Sequence, residues 1–129
     1  MITASAPTVL IVEDEWSVRA LLSDVLRLEG YRVLGAEDGL QAVKLLDDEI
    51  LPSAQPCTIL LDMTLPRLDG LGVLRHLRAE NAHLPVVAMS ANRAALEAAD
   101  AAGAEAVLRK PFSLDRLVDT VARHSSVAA

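Results

Sequence analysis

Thr58-Ile59-Leu60-Leu61-Asp62-Met63-Thr64-Leu65-Pro66-Arg67-Leu68-Asp69-Gly70 is a short apolar run that stops at an aspartate and passes into a turn. A run of this length without alternation reads as a strand buried on both faces, as in a parallel sheet covered by helices. Asp62 then stands at the carboxyl end of that strand. In open sheets of this kind the chemistry collects just outside the carboxyl ends, at the point where the strand order reverses. A carboxylate there is a candidate nucleophile or metal ligand. Taken alone, Asp62 reads as readily as a turn former or as a cap for the helix after Pro66, so the rest of the chain must decide.

Working outward, Thr8 to Val12 is a second fully apolar strand, and it too runs into acid at Glu13-Asp14-Glu15. The period then changes. Val18, Leu21, Leu22, Val25 and Leu26 form the stripe of an amphipathic helix that Gly30 terminates. Tyr31 to Gly35 predicts a shorter strand, less apolar and nearer an edge. Asp38 is placed to cap a second helix carrying Leu40, Val43, Leu46 and Ile50 inward. Pro52 to Pro56 reads as a loop of helix breakers. Beyond Gly70, a third helix puts Leu71, Leu74 and Leu77 on one side, with Arg75 and Arg78 on another. Pro85 to Met89 is a fourth strand closed by Ser90, and an alanine-rich helix follows from about Arg93 to Ala102 with Leu96 as its large apolar residue. Ala104 to Leu108 predicts a fifth strand ending near Arg109-Lys110-Pro111-Phe112. Ser113 is positioned to cap a last helix that aims Leu114, Leu117, Val118 and Val121 at the core.

Five strands alternating with five helices imply an α/β fold: a doubly wound parallel sheet with helices on both faces. The number and length of the strands suit the flavodoxin-like (βα)5 order 2-1-3-4-5. Under that order Glu13, Asp14 and Asp62 end on adjacent strands at one rim, and the next two strands bring Ser90 and Lys110 to it.

The 129 residues suit one domain, 1–129, with a core of about 8–123, and no internal repeat or boundary divides them. A hydrophobic fraction of 52% with 2% aromatic residues means a core of Leu, Val, Ile and Ala. Eighteen acidic against twelve basic residues give a formal charge of −6, and the basic residues are scattered, which argues against nucleic acid as a partner. The single cysteine, Cys57, excludes an internal disulfide and reads as a buried small hydrophobe in a reducing compartment. No stretch approaches the about 18 apolar residues of a membrane span, and Met1 to Pro7 lacks the regions of a signal peptide, so a cytoplasmic protein without a membrane partner is expected.

Three carboxylates converging on one rim repel one another, and a divalent cation resolves the conflict. Oxygen ligands with room for water suit Mg²⁺, which favours sites shared with phosphate. The chain has two lysines, Lys44 and Lys110, against ten arginines, so an ammonium at this rim is not a matter of abundance. With the Ser90 hydroxyl, these groups describe phosphoryl transfer to Asp62.

Glu13-Asp14-Glu15 after a strand, Asp62 followed by Leu65-Pro66 and Asp69-Gly70, Ser90-Ala91, and Lys110-Pro111-Phe112 together resemble the receiver domain of two-component response regulators. The resemblance runs from Thr8 to about Arg123. It implies that Asp62 accepts a phosphoryl group from a phosphohistidine on a sensor histidine kinase or histidine phosphotransfer protein, in a self-catalysed step without substrate turnover. It implies Mg²⁺ held by Asp14 directly, by Glu13 through water, by Asp62 and by the Thr64 backbone carbonyl. Ser90 would bond a phosphate oxygen, Lys110 would pair with phosphate, and Pro111 would follow a cis peptide. The family's aromatic switch position is Val107 here, and a valine has no ring to swing. Signalling together with Ser90 would then pass through the fourth helix, fifth strand and fifth helix to a downstream protein. Thr64 and Asn92 occupy the two variable positions beside the phosphate. Because the chain ends at Ala129 without a DNA-binding segment, a stand-alone receiver is expected.

Two other readings compete. A binding module with this fold but no phosphate switch is suggested by Val107. An aspartate-nucleophile phosphatase of the haloacid-dehalogenase type needs an acid two residues past the nucleophile, where this chain has Thr64. Trp16 reads as a half-exposed helix-start residue, His76, His83 and His124 as exposed or helix-end residues, and Arg75 and Arg78 as a solvated helix face.

Overall fold

The structure, a computed structural model, describes residues 6–50, 56–80 and 83–125, and of residues 48–50 the backbone alone. Its elements are β1 (Thr8–Val12), α1 (Trp16–Leu28), β2 (Arg32–Ala36), α2 (Gly39–Lys44) continuing as a π-helical segment (Leu45–Ile50), β3 (Thr58–Asp62), α3 (Gly70–Glu80), β4 (Val86–Ser90), α4 (Arg93–Ala101), β5 (Ala106–Arg109) and α5 (Leu114–Arg123). The strands form one parallel sheet in the order β2-β1-β3-β4-β5. Most of the expected Pro52 to Pro56 loop and the Ile50 side chain lie outside the described residues.

The three central strands are buried at every position, which is why their sequences show no alternation. Side-chain parity still sorts them between two cores. Leu10, Val12, Ile59, Leu61, Val86 and Ala88 join α2, α3 and α4 on one face. Val9, Ile11, Leu60, Val87, Met89 and Leu108 join α1 and α5 on the other. Each fully buried Leu or Ile contributes about 1.5–3 kcal/mol of transfer free energy. β2 lies at the edge with Arg32, Leu34 and Gly35 exposed, as its weaker apolar content predicts.

Helix starts follow the caps. The Asp38 carboxylate accepts from the Gln41 N–H at 2.7 Å, the Asn92 side chain from Ala95 at 3.1 Å, and the Ser113 hydroxyl from Arg116 at 3.1 Å. Each such cap is worth about 1 kcal/mol. α1 ends where Gly30 takes φ +97°, a conformation costly for a residue with a side chain.

Three helix positions expected inside are exposed: Leu21, Leu40 and Leu114. Leu21 and Leu40 stand at the margin of an apolar stripe wider than the surface the helix covers, and Leu114 is the first residue of α5. For α2 the rotation has a visible cause. A Cβ at Gly39 would stand 1.9 Å from the Leu68 carbonyl oxygen, so the helix is pressed against the β3–α3 loop at that residue, and Ala42 and Leu46 rather than Leu40 turn inward. β5 begins later than predicted because the Ala104 N–H still bonds the Ala99 carbonyl at the end of α4.

Candidate functional site

The polar rim lies where β1, β3, β4 and β5 run out. The register pairs Val12 with Leu61, so the residue after Val12 comes level with Asp62. Three backbone hydrogen bonds carry the ladders one residue beyond the strands: Glu13 N–H to the Ala36 carbonyl at 3.0 Å, Met63 to Met89 at 2.9 Å and Lys110 to Ser90 at 2.9 Å. The chain is therefore held in sheet geometry up to the residues that carry the chemistry. The Lys110–Pro111 peptide is cis.

On this frame the predicted residues converge. Carboxylate oxygens of Glu13, Asp14 and Asp62 all lie within 4.8 Å of one another. Glu13 and Asp62 are buried, and Asp14 is exposed. The Lys110 Nζ reaches between two of them, 3.0 Å from Glu13 Oε1 and 3.3 Å from Asp62 Oδ2. Glu13 Oε2 accepts from the Glu15 N–H at 3.3 Å, and Asp62 Oδ1 from the Thr64 N–H at 2.9 Å. Ser90 is buried at the end of β4, and its Oγ accepts from the Asn92 N–H at 3.0 Å, leaving its own O–H to donate. Thr64 and Asn92 are exposed beside the pocket.

Three carboxylates face one ammonium, and the titration of the pocket reflects that excess. Burial, with the nearby Asp62 charge adding to it, pushes Glu13 from 4.5 up to about 6 although Lys110 pulls the other way. Burial alone would lower the Lys110 ammonium, but the carboxylates of Glu13 and Asp62 outweigh it and hold its pKa above the ordinary lysine value. A divalent cation would cancel the excess. The donors are all carboxylates, with no thiolate or imidazole in the cluster, so the set fits a hard ion such as Mg²⁺.

Val107 stands apart from the pocket. It packs against the core on the α4 side and lines an open groove of about 630 Å³ with Arg93, Leu96, Glu97, Asp100 and Arg109. Trp16 is more exposed than expected, at 73%. His76 is paired with Asp47 at 3.0 Å, and His124 ends α5, its carbonyl accepting from the Thr58 hydroxyl at 3.2 Å. Cys57 is buried, which raises its thiol pKa. Arg75 is exposed, but Arg78 is no solvated side chain: it donates to the Leu84 and Gly103 carbonyls at 2.9 and 2.7 Å and pairs with Glu105 at 2.8 Å. Among the described residues no helix is long and apolar enough to cross a membrane.

Two contacts at the rim escaped the sequence reading. Asn92 caps α4 as well as flanking the pocket, and its signal is local: a cap-forming residue directly before a helix. Arg19 donates from Nη1 to the Glu13 carbonyl at 2.7 Å, and nothing in a linear sequence marks that reach back over a helical turn.

The family model described as the response regulator receiver domain matches residues 9–122. The response regulator MprA of Mycobacterium ulcerans is 38% identical over 112 residues, covering 85% of this chain and 46% of its own length. This chain thus spans about half of that relative. Sporulation initiation phosphotransferase F of Bacillus subtilis is 31% identical over 118 residues, covering 90% of this chain and 91% of its own. Among solved structures, the receiver domain of the sensor histidine kinase PA1611 from Pseudomonas aeruginosa, with a magnesium ion coordinated in its active-site cleft, superposes with a TM-score of 0.82. It is 32% identical and covers 92% of this chain and 97% of that one.

Proposed function

The chain belongs to the response regulator receiver domain family, a signalling family of two-component systems, and from that we propose that Asp62 accepts a phosphoryl group from a phosphohistidine on a sensor histidine kinase or histidine phosphotransfer protein. The observation that carries this reading is the Lys110 ammonium lying 3.0 Å from Glu13 and 3.3 Å from Asp62 with Asp14 alongside. An Asp62 oxygen attacks phosphorus, the bond from phosphorus to the imidazole nitrogen breaks, and the histidine leaves. The Thr64 N–H fixes one Asp62 oxygen and so aims the other. Lys110 follows the developing charge onto a phosphoryl oxygen, and the Ser90 O–H donates to another. Glu13, Asp14, Asp62 and the Thr64 carbonyl would hold Mg²⁺, which when bound neutralises the phosphoryl oxygens. The step is self-catalysed and occurs once per phosphoryl group, without turnover of a separate substrate.

We read the chain as one cytoplasmic receiver domain, 1–129 with a core of 8–123, that signals to a downstream protein through α4, β5 and α5, with Ser90 and Val107 on the route, and that binds neither nucleic acid nor membrane. Incubation with acetyl phosphate and Mg²⁺ should add one phosphoryl mass to the intact protein, and Asp62→Asn should abolish the addition. No addition with small-molecule or kinase donors would refute the reading. Val107, which cannot act as an aromatic switch, favours a second one: a binding module that ignores phosphate, whose partner affinity Asp62→Asn would leave unchanged.

A further inference from the structure

We propose that Arg19 is a positioning residue for the acidic pocket, its guanidinium fixing the Glu13–Asp14 peptide and thereby aiming the Asp14 carboxylate. This rests on the reading of the pocket as a Mg²⁺ site.

Asp14 is the acid of the cluster that has least to hold it. Glu13 and Asp62 are buried and bonded to Lys110 and to backbone amides, whereas Asp14 is exposed and follows the last sheet-bonded residue of its segment. The peptide plane that joins Glu13 to Asp14 determines where the Asp14 side chain leaves the backbone. The carbonyl of that plane accepts from Arg19 Nη1 at 2.7 Å, while the preceding peptide is anchored to the sheet by the Glu13 N–H, which donates to the Ala36 carbonyl at 3.0 Å. A charged donor at this distance makes a strong, directional bond. Arg19 is itself held, because its own N–H bonds the Glu15 carbonyl at 2.9 Å, and no described carboxylate competes for its guanidinium within ion-pair distance.

The route of the side chain across β2 is equally specific. A Cβ at Gly35 would stand 3.2 Å from Arg19 Cδ, so the glycine leaves the stem a place to lie. Arg19 and Gly35 border a cavity of about 320 Å³ with Trp16, Ser23 and Val33. The arginine thus spans from helix to strand end and spends its donor on a carbonyl between two acids.

Charge and orientation predict opposite signs here. A cation beside a cation site repels the incoming metal, so an arginine acting through its charge alone would weaken Mg²⁺ binding, and its removal would tighten it. A residue that orients a ligand has the contrary effect: loss of such a partner costs about 10-fold to 100-fold in metal affinity. Calorimetric titration of the purified protein with MgCl₂ distinguishes the two. Arg19→Ala should bind about tenfold more weakly than the wild type, and Arg19→Lys, which keeps a donor in reach of the carbonyl, should recover part of the loss. Equal or tighter binding by Arg19→Ala overturns the proposal. Failure of the wild type to bind Mg²⁺ overturns the reading of the pocket instead. Should Arg19→Ala not fold by circular dichroism, Arg19→Gln, which keeps most of the stem over Gly35 without the charged fork, is read by the same sign.

Discussion

Glu13 carries the most strained charge in the pocket. Its carboxyl is 2% exposed and titrates near 6 rather than 4.5, so holding it ionised works against the fold when no cation is bound. An acid whose folded pKa lies above its unfolded value stabilises the native state fully below the unfolded value, and that contribution is lost as pH rises through the folded one. For Glu13 the window is pH 4.5 to about 6. Urea unfolding in chelator at a series of pH values should therefore show Glu13→Gln gaining on the wild type across this window, by at most about 2 kcal/mol at neutral pH. A constant difference between the two proteins at all pH values would contradict it. Asp62 is legible as a candidate because it ends an apolar strand, and Lys110 because it follows the fifth strand in a chain with two lysines. The tension at Glu13 was not, since it depends on how deeply the side chain is covered and on a lysine 97 positions away.

Arg78 shows the same limit at the scale of whole elements. It stands on α3 but bonds Leu84 just before β4 and both Gly103 and Glu105 in the α4–β5 connection, while Glu105 Oε1 also accepts from the Val86 N–H at 2.8 Å. One side chain thereby joins three segments that no local pattern links. Arg78→Ala should lower the unfolding free energy by about 1 kcal/mol, since it removes the donor to the partly buried Leu84 carbonyl along with bonds to the exposed Gly103 carbonyl and Glu105 carboxylate, and Arg78→Lys should recover only part of it. Chemical denaturation checks both, and a loss within 0.5 kcal/mol, roughly the spread of inconsequential surface changes, would mean water replaces the arginine. The strands were legible because buried parallel strands are apolar throughout, and the caps at Asp38 and Ser113 because their chemistry is local. Leu21 and Leu40 point outward because a helical period gives the direction of a stripe and not its covered width, and Leu114 because it opens α5, where the period does not say how far along the helix the cover extends. Arg78 looked solvated because its acceptors belong to segments that only the folded sheet brings near.

At the scale of the molecule, one five-stranded sheet separates two cores, and all the proposed chemistry sits at one rim of it. A ligand taken up there stabilises every element that the sheet joins. Mg²⁺ at one hundred times its dissociation constant should add about 2.7 kcal/mol to global stability. Cys57 makes that linkage measurable. It is the chain's one thiol, it is buried, and it precedes β3 at the end opposite Asp62, five residues or about 16 Å away. A thiol reagent that meets it only when the whole domain opens should be slowed about a hundredfold by the same Mg²⁺ concentration. Labelling that is indifferent to Mg²⁺ would mean either that the cation does not bind or that a local fluctuation bares the sulfur. If Mg²⁺ slows the labelling, the native cysteine is a built-in clock for complete openings, distant enough from the pocket that its reading is free of direct interference from whatever binds there.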